Sequence, residues 1–268
     1  MATFTYFKVC EKNAKNMKNN QISMRHVGKY GTFYIKGVSE MKRSEINTIM
    51  RESEEFMHKF SFFLPPFAGW GVKEWKKAGK ESAEIVENNL GWDITDFGSG
   101  NFLDTGLFLF TLRNGQFKNW SLMNGKLYAE KIMIADVGQK TPMHFHWKKM
   151  EDIINRGGGN LVIELYNAAP DETLDSTPVS VVMDGVHYVF PAGQKVVLRP
   201  GESITLTPYL YHSFWGEGEK VLIGEVSMVN DDSVDNRFLN SVGRFPSIDE
   251  DEAPLHLLIG DYGKYYGK

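Results

Sequence analysis

Apolar positions recur at helical spacing in the first third of the chain and at strand spacing in the rest. From Ser44 to Phe60, residues Ile46, Ile49, Met50, Phe56, Met57 and Phe60 fall on one stripe, which predicts an amphipathic helix with Ser44 as its N-cap. Pro65 and Pro66 break the chain after it. The following VKEWKKAGKESAEIVENNLG predicts a second helix, with Gly91 placed to take the left-handed conformation that ends helices. Ahead of both, GTFYIKG (31–37) has the composition of a short strand.

From about residue 100 the pattern changes. LFLFTLRNG, KLYAEKIMIADVG, NLVIELYNA, VVMDGVHYVFPAG, KVVLRPGESITLTPYLYHSFWG and KVLIGEVSMV are β-branched and aromatic runs with turns between them. Asp184-Gly185 is a hairpin signal, and Arg199-Pro200-Gly201-Glu202 is a turn. Six or more antiparallel strands in this stretch predict a mainly β fold, a jelly-roll sandwich or barrel with the helices covering it. The expected organisation is a mixed helical segment, 1–98, packed on a barrel, 99–268, as one compact unit.

Composition narrows the function. The 268 residues, 42% of them hydrophobic, suffice for a sizeable core. Thirty Lys and Arg against thirty-four Asp and Glu give a net charge of -4, with no positive excess for a nucleic-acid partner. No stretch has the length and apolarity of a membrane span, and the N-terminus has no signal-peptide core. The single cysteine, Cys10, excludes an intrachain disulfide and a thiolate metal cluster, and suits a reducing cytoplasm. Seven histidines are then the main reservoir of transition-metal ligands.

Three of those histidines are placed to converge. His144 and His146 are two residues apart, so on a strand both imidazoles project from one face. Glu151 has the opposite parity, and a turn or bulge in WKKM returns it to the same side. His212 ends a predicted strand among Tyr209, Tyr211, Phe214 and Trp215, and a hairpin-rich barrel can bring it beside the pair. Imidazoles with one carboxylate suit Mn, Fe, Co, Ni or Zn. Gly157-Gly158-Gly159 lacks the Lys-Ser/Thr of a phosphate loop and reads instead as a turn with unusual backbone angles. Glu225 alternates with apolar neighbours in VLIGEVSMV and projects into the barrel if Leu222 and Val226 face elsewhere, as a substrate-binding candidate. Arg244 is a second such candidate, anchoring either the acidic SIDEDEAP loop near residue 250 or a substrate hydroxyl.

The spacing of Gly138, His144, His146, Glu151 and Gly158 is that of the first cupin motif. The second motif is met only in part, since Pro208 precedes His212 with no glycine between them and Gly216 stands where an Asn is usual. MHFHWKKMEDIINRGGGNLVIEL, with GWDITDFG, HSFWGEGE, GEVSMVNDD and FPSIDEDEAPLHLL, resembles the cupin-type D-lyxose isomerases over residues 88–262. The resemblance implies a cupin jelly roll in which His144, His146, Glu151 and His212 hold a divalent ion, usually Mn(II). It also implies that Lys149 handles substrate or protons and that an acid of SIDEDE is the acid/base partner. Glu250 is the first choice for that acid and Glu252 the next, because the loop can fold over the metal mouth.

The implied reaction interconverts D-lyxose and D-xylulose, with D-mannose and D-fructose as a further pair. A proton moves between C2 and C1 through an enediolate that a divalent ion stabilises. Four protein ligands leave two octahedral positions for sugar oxygens. The alternatives are an Fe(II) cupin dioxygenase and a sugar-binding cupin without turnover. The expected partners are a monosaccharide and a second copy of the chain in a homodimer.

Overall fold

The computed structural model describes residues 41–119, 125–243 and 247–268. The predicted strand at 31–37, and Cys10, His26 and Arg244, lie outside the described residues. Residues 41–268 belong to one compact unit.

The predicted amphipathic helix is α1 (Arg43–Lys59). Its first turn is organised differently from the sequence reading. Lys42 is the N-cap, Glu45 accepts from the Lys42 N–H, and Ser44 gives both its N–H and its hydroxyl to Asp251. The second predicted helix is not continuous. It is broken at Ala78 and Gly79, both in extended conformation, into α2 (Val72–Lys77) and α3 (Ala83–Glu87), and the Gly79 carbonyl accepts from the Tyr266 hydroxyl. Asn89 (φ 52°) is the left-handed residue after α3, whereas Gly91 opens a strand. A short helix, α4 (Tyr262–Tyr265), packs beside α2 through Trp75 and Tyr262.

Fourteen strands lie among the described residues. A minor parallel pair is β1 (Met41–Lys42) with β14 (Ile248–Asp249). The main sheet runs β2 (Gly91–Thr95), β3 (Leu107–Arg113), β4 (Tyr128–Ala135), β12 (Leu210–Met228), β6 (Glu151–Ala168), β11 (Ser203–Leu206), β8 (Val179–Met183) and β9 (Val186–Phe190). Of the rest, β10 (Gln194–Leu198) and β7 (Leu174–Asp175) pair with β6, and β5 (His144–Phe145) pairs with β12 and with β13 (Arg237–Phe238). All pairings in this sheet are antiparallel, as in a cupin jelly roll. The sheet begins before residue 100, where the sequence placed the change, because β2 pairs fully with β3.

Period-two alternation sorts side chains onto two apolar faces. Leu107, Leu109, Met133, Ala135, Val221 and Ile223 join the barrel interior with Leu161, Ile163, Leu165 and Leu198. Their sequence neighbours Phe108, Phe110, Ile132, Ile134 and Leu222 face outward, with Trp92 and Ile94, and pack under Ile46, Met50 and Met57 of α1. Both faces of β2, β3 and β4 are therefore covered, which is why these strands read as continuous apolar runs. The charged exceptions on the inward face, Asp93, Lys131 and Glu225, are the ones that build the site.

The β6–β12 ribbon is the backbone of that site. It pairs from Leu210 with Asn167 to Ser227 with Glu151, with register shifts between Glu217 and Val221 and between Leu222 and Ile223. The predicted glycine turn lies at this irregularity. Gly158 has φ +93°, and a Cβ there would stand 2.1 Å from the Lys220 carbonyl oxygen. The ribbon bends here, which brings the Glu151 end back toward His212.

Candidate metal centre

The candidate ligand set assembles from three segments. His144 in β5 is the direct register partner of His212 in β12, and the loop before it is held by Thr141, which accepts from the Ser213 hydroxyl and exchanges bonds with Phe214. One nitrogen of each of His144, His146 and His212 lies within 4.8 Å of the others. Every Nδ1 faces a backbone carbonyl: Pro142 for His144 at 2.8 Å, Asp235 for His146 at 2.9 Å, Leu210 for His212 at 3.0 Å. A carbonyl only accepts, so it fixes a proton on each Nδ1, and the nitrogen that this leaves as the donor to a cation is Nε2. Glu151 completes the set. Its Oε1 is 3.4 Å from His146 Nε2 and 3.2 Å from His212 Nε2. Residues 146–150 are the turn that corrects its parity, and the buried Asp235 carboxylate fixes that turn by accepting from the Lys148 and Lys149 N–H groups.

Electrostatics favour the same occupant. Burial, and then the neighbouring His212 and His146, hold the His144 imidazole well below its usual range, in the neutral form that a metal needs. Burial alone would raise Glu151, but Lys149, with His146 and His212, outweighs it and keeps the carboxyl well below the carboxylate range. Burial would lower Lys149, but Glu151, Glu225 and Asp232 outweigh it and hold the ammonium charged. The Lys149 Nζ bridges Glu151 Oε2 at 2.6 Å and Glu225 Oε1 at 3.0 Å. Lys131 lies 3.4 Å from the same Glu225 oxygen and 4.0 Å from Asp232. Four carboxylates line the cavity, Asp93, Glu151, Glu225 and Asp232, against the two lysines 131 and 149. The two formal negative charges left over are those that a divalent cation neutralises. Donor set, tautomers and charge all fit such an ion.

The cavity has a volume of about 130 Å³, and Phe97 and Phe238 are part of its lining, the latter stacked on His144. Of the sequence-predicted residues, His144, His146, Lys149, Glu151, His212 and Glu225 all line it. Glu225 reaches it because Leu222 faces α1 and Val226 is exposed, the condition set by alternation. Glu250 does not. Arg43, fully buried at the start of α1, binds it through Nε at 2.8 Å and through the second guanidinium nitrogen at 2.9 Å, and binds Asp261 as well. Glu252 accepts from Asn47 of the same helix. The acidic loop thus neutralises a buried arginine and positions α1 instead of covering the metal mouth. Lys131, Asp93, Asp232 and Asp235 escaped the sequence reading. Parity with Met133 marks Lys131 as inward-facing, and the position of Asp93 between the outward Trp92 and Ile94 marks it likewise. No local signal identifies Asp232 or Asp235.

Among the described residues no helix is long and apolar enough to cross a membrane. The D-lyxose isomerase family model matches residues 41–262. The D-lyxose/D-mannose isomerase of Serratia proteamaculans is 48% identical over 229 residues, 84% of this chain and 99% of that protein. Its namesake from Escherichia coli O157:H7 is 48% identical over 228 residues, 84% of this chain and 100% of that protein. A mutant L-ribose isomerase of Acinetobacter sp. DL28, solved in complex with L-ribose, is similar in fold with a TM-score of 0.51 at 15% identity, over 79% of this chain and 99% of that one. The chain belongs to the D-lyxose isomerase family.

Proposed function

We propose that this aldose-ketose isomerase interconverts D-lyxose with D-xylulose and D-mannose with D-fructose, using Mn(II) held by His144, His146, Glu151 and His212. The observation that carries the reading is a single cavity in which three imidazoles and a carboxylate adjoin a lysine-bridged second carboxylate. A divalent ion on these ligands supplies Lewis-acid polarisation of the neighbouring sugar oxygens.

The chain's own residues supply the rest. Glu225, inside the cavity and one lysine head from Glu151, takes the acid/base role in place of Glu250, removing the proton at C2 and returning it at C1. Lys149 and Lys131 donate to Glu225 and to Asn230, which holds the carboxylate in one orientation, and an ammonium proton passes to O1 while the same lysine takes back the proton that O2 loses. The aromatic wall of Phe97 and Phe238 limits water around the reacting carbons. Family membership favours turnover of sugars over the dioxygenase and storage readings. A homodimer through the exposed edge strand β9, where Val186, Tyr188 and Val189 face solvent, and residence in a reducing cytoplasm complete the proposal.

The test is direct. Manganese-loaded protein given D-lyxose produces D-xylulose, and substrate deuterated at C2 loses part of its label to solvent. Inactivity across a panel of pentoses and hexoses defeats the functional assignment. Complete retention of label with turnover defeats the role of Glu225 alone, because a hydride shift then replaces proton transfer. Light scattering of the purified protein reads the oligomeric state.

A further inference from the structure

Buried polar side chains in this protein are paired, with one exception among the described residues. The Oδ1 of Asn236 is buried and has no hydrogen-bond partner. Asn236 lines the cavity of the candidate metal centre. An unpaired buried acceptor is unfavourable and is rare in native proteins, so its position beside a ligand cavity calls for a ligand that pairs it.

The amide has a defined orientation. Its Nδ2 is 3.2 Å from Asp232 Oδ1, and a carboxylate can only accept, so the nitrogen faces Asp232 and the oxygen faces away. The backbone on both sides is fixed by the site itself. Asp235, immediately before, accepts from His146 through its carbonyl and from Lys148 and Lys149 N–H groups through its carboxylate. Arg237 and Phe238, immediately after, pair with Phe145 and His144. The acceptor is therefore held in register with the metal ligands.

We propose that Asn236 is a specificity-determining residue whose Oδ1 accepts a hydrogen bond from a monosaccharide hydroxyl, on a carbon other than the two that exchange the proton. An acceptor with its own amide hydrogens turned away requires a donor, so a hydroxyl fits and an ether or fluorine does not. Removing such a contact from a site built to make it costs about tenfold or more in kcat/KM.

The inference rests on the isomerase reading, and one experiment separates the two. Wild type, Asn236→Leu and Asn236→Ala, each manganese-loaded, are compared on D-lyxose and on analogues deoxygenated or fluorinated singly at each carbon beyond C2. Turnover gives kcat/KM and titration calorimetry gives sugar binding. At one carbon, deoxygenation and fluorination should each cost wild type about tenfold, while the variants, already weakened on D-lyxose, lose nothing further there. A merely structural role lowers the variants by the same factor on every analogue, and that result overturns the proposal. So do variants that bind and convert D-lyxose as wild type does. Wild type that neither binds nor converts any aldose overturns the isomerase reading and this inference with it, whereas wild-type turnover with a flat pattern overturns the inference alone.

Discussion

Two carboxylates competed for one role, and their partners distinguish them. Glu225 is buried and shares its Oε1 with Lys149 and Lys131, so Glu225→Gln should lower kcat by about a hundredfold or more while leaving bound manganese unchanged by elemental analysis. Glu151→Ala should lose both metal and activity, because one oxygen of that carboxylate faces two of the three imidazoles. Glu250→Gln should keep its kcat and lose stability instead. The hydrogen bond from Arg43 is the main cause that holds the Glu250 carboxyl below its ordinary range, so the folded state favours the ionised form. Stability from a depressed carboxyl is present above its unfolded value and lost as pH falls through the folded one. The gap in melting temperature between wild type and Glu250→Gln should thus be full at neutral pH and close as pH drops below about 4.5. A gap that persists in acid contradicts the ion-pair account. The spacing of His144, His146 and Glu151 could be read from the chain because their convergence depends on residues within one strand and turn. The place of Glu250 could not, because it is claimed by an arginine 207 residues away.

Glycine geometry and one buried arginine govern the elements. The bend in the β6–β12 ribbon needs a residue at φ +93° whose missing Cβ leaves room for the Lys220 carbonyl, so Gly158→Ala forces the ribbon open. The expected result is a loss of about 2 kcal/mol or more, together with lower manganese stoichiometry, since Glu151 and His212 lie on opposite sides of the bend. Equal metal content with reduced stability would place the bend outside the site's assembly. At the helix, Arg43→Met strands the carboxylate of Asp261, which is largely buried, and should cost about 3 kcal/mol, measured by denaturant titration. The amphipathic stripe of α1 was legible because its periodicity is local. The split between α2 and α3 was not, since the Tyr266 hydroxyl that binds Gly79 comes from the far end of the chain.

Metal binding and folding are linked across the whole molecule. An ion that binds only the native site at a concentration a hundredfold above its Kd adds about 2.7 kcal/mol of stability, so chelation should lower the melting temperature and manganese should restore it. The effect has a definite pH sign. Folding keeps His144 neutral below its usual titration range, so the unfolded chain takes up protons that the folded one refuses. Stability of the metal-free protein should fall as pH drops below about 6.5, whereas the manganese-induced shift should hold there and shrink only in more acid solution, where the folded His144 itself takes up a proton. Metal-free stability that does not change as pH falls through 6.5 argues against a buried neutral imidazole at His144. At this scale the sequence by itself determined the mainly β class and the covering helix and marked His144, His146 and Glu151 as candidate ligands, because strand alternation, helical stripe and motif spacing are short-range properties. Only the tertiary structure decided that Lys131, Asp93, Asp232 and His212 share the cavity with Glu225 and those candidates while the acidic loop serves Arg43. Which inward-facing charges meet is set by strand order and by the glycine bend, and which surface acids are captured is set by distant partners. Neither is written in the spacing of neighbouring residues.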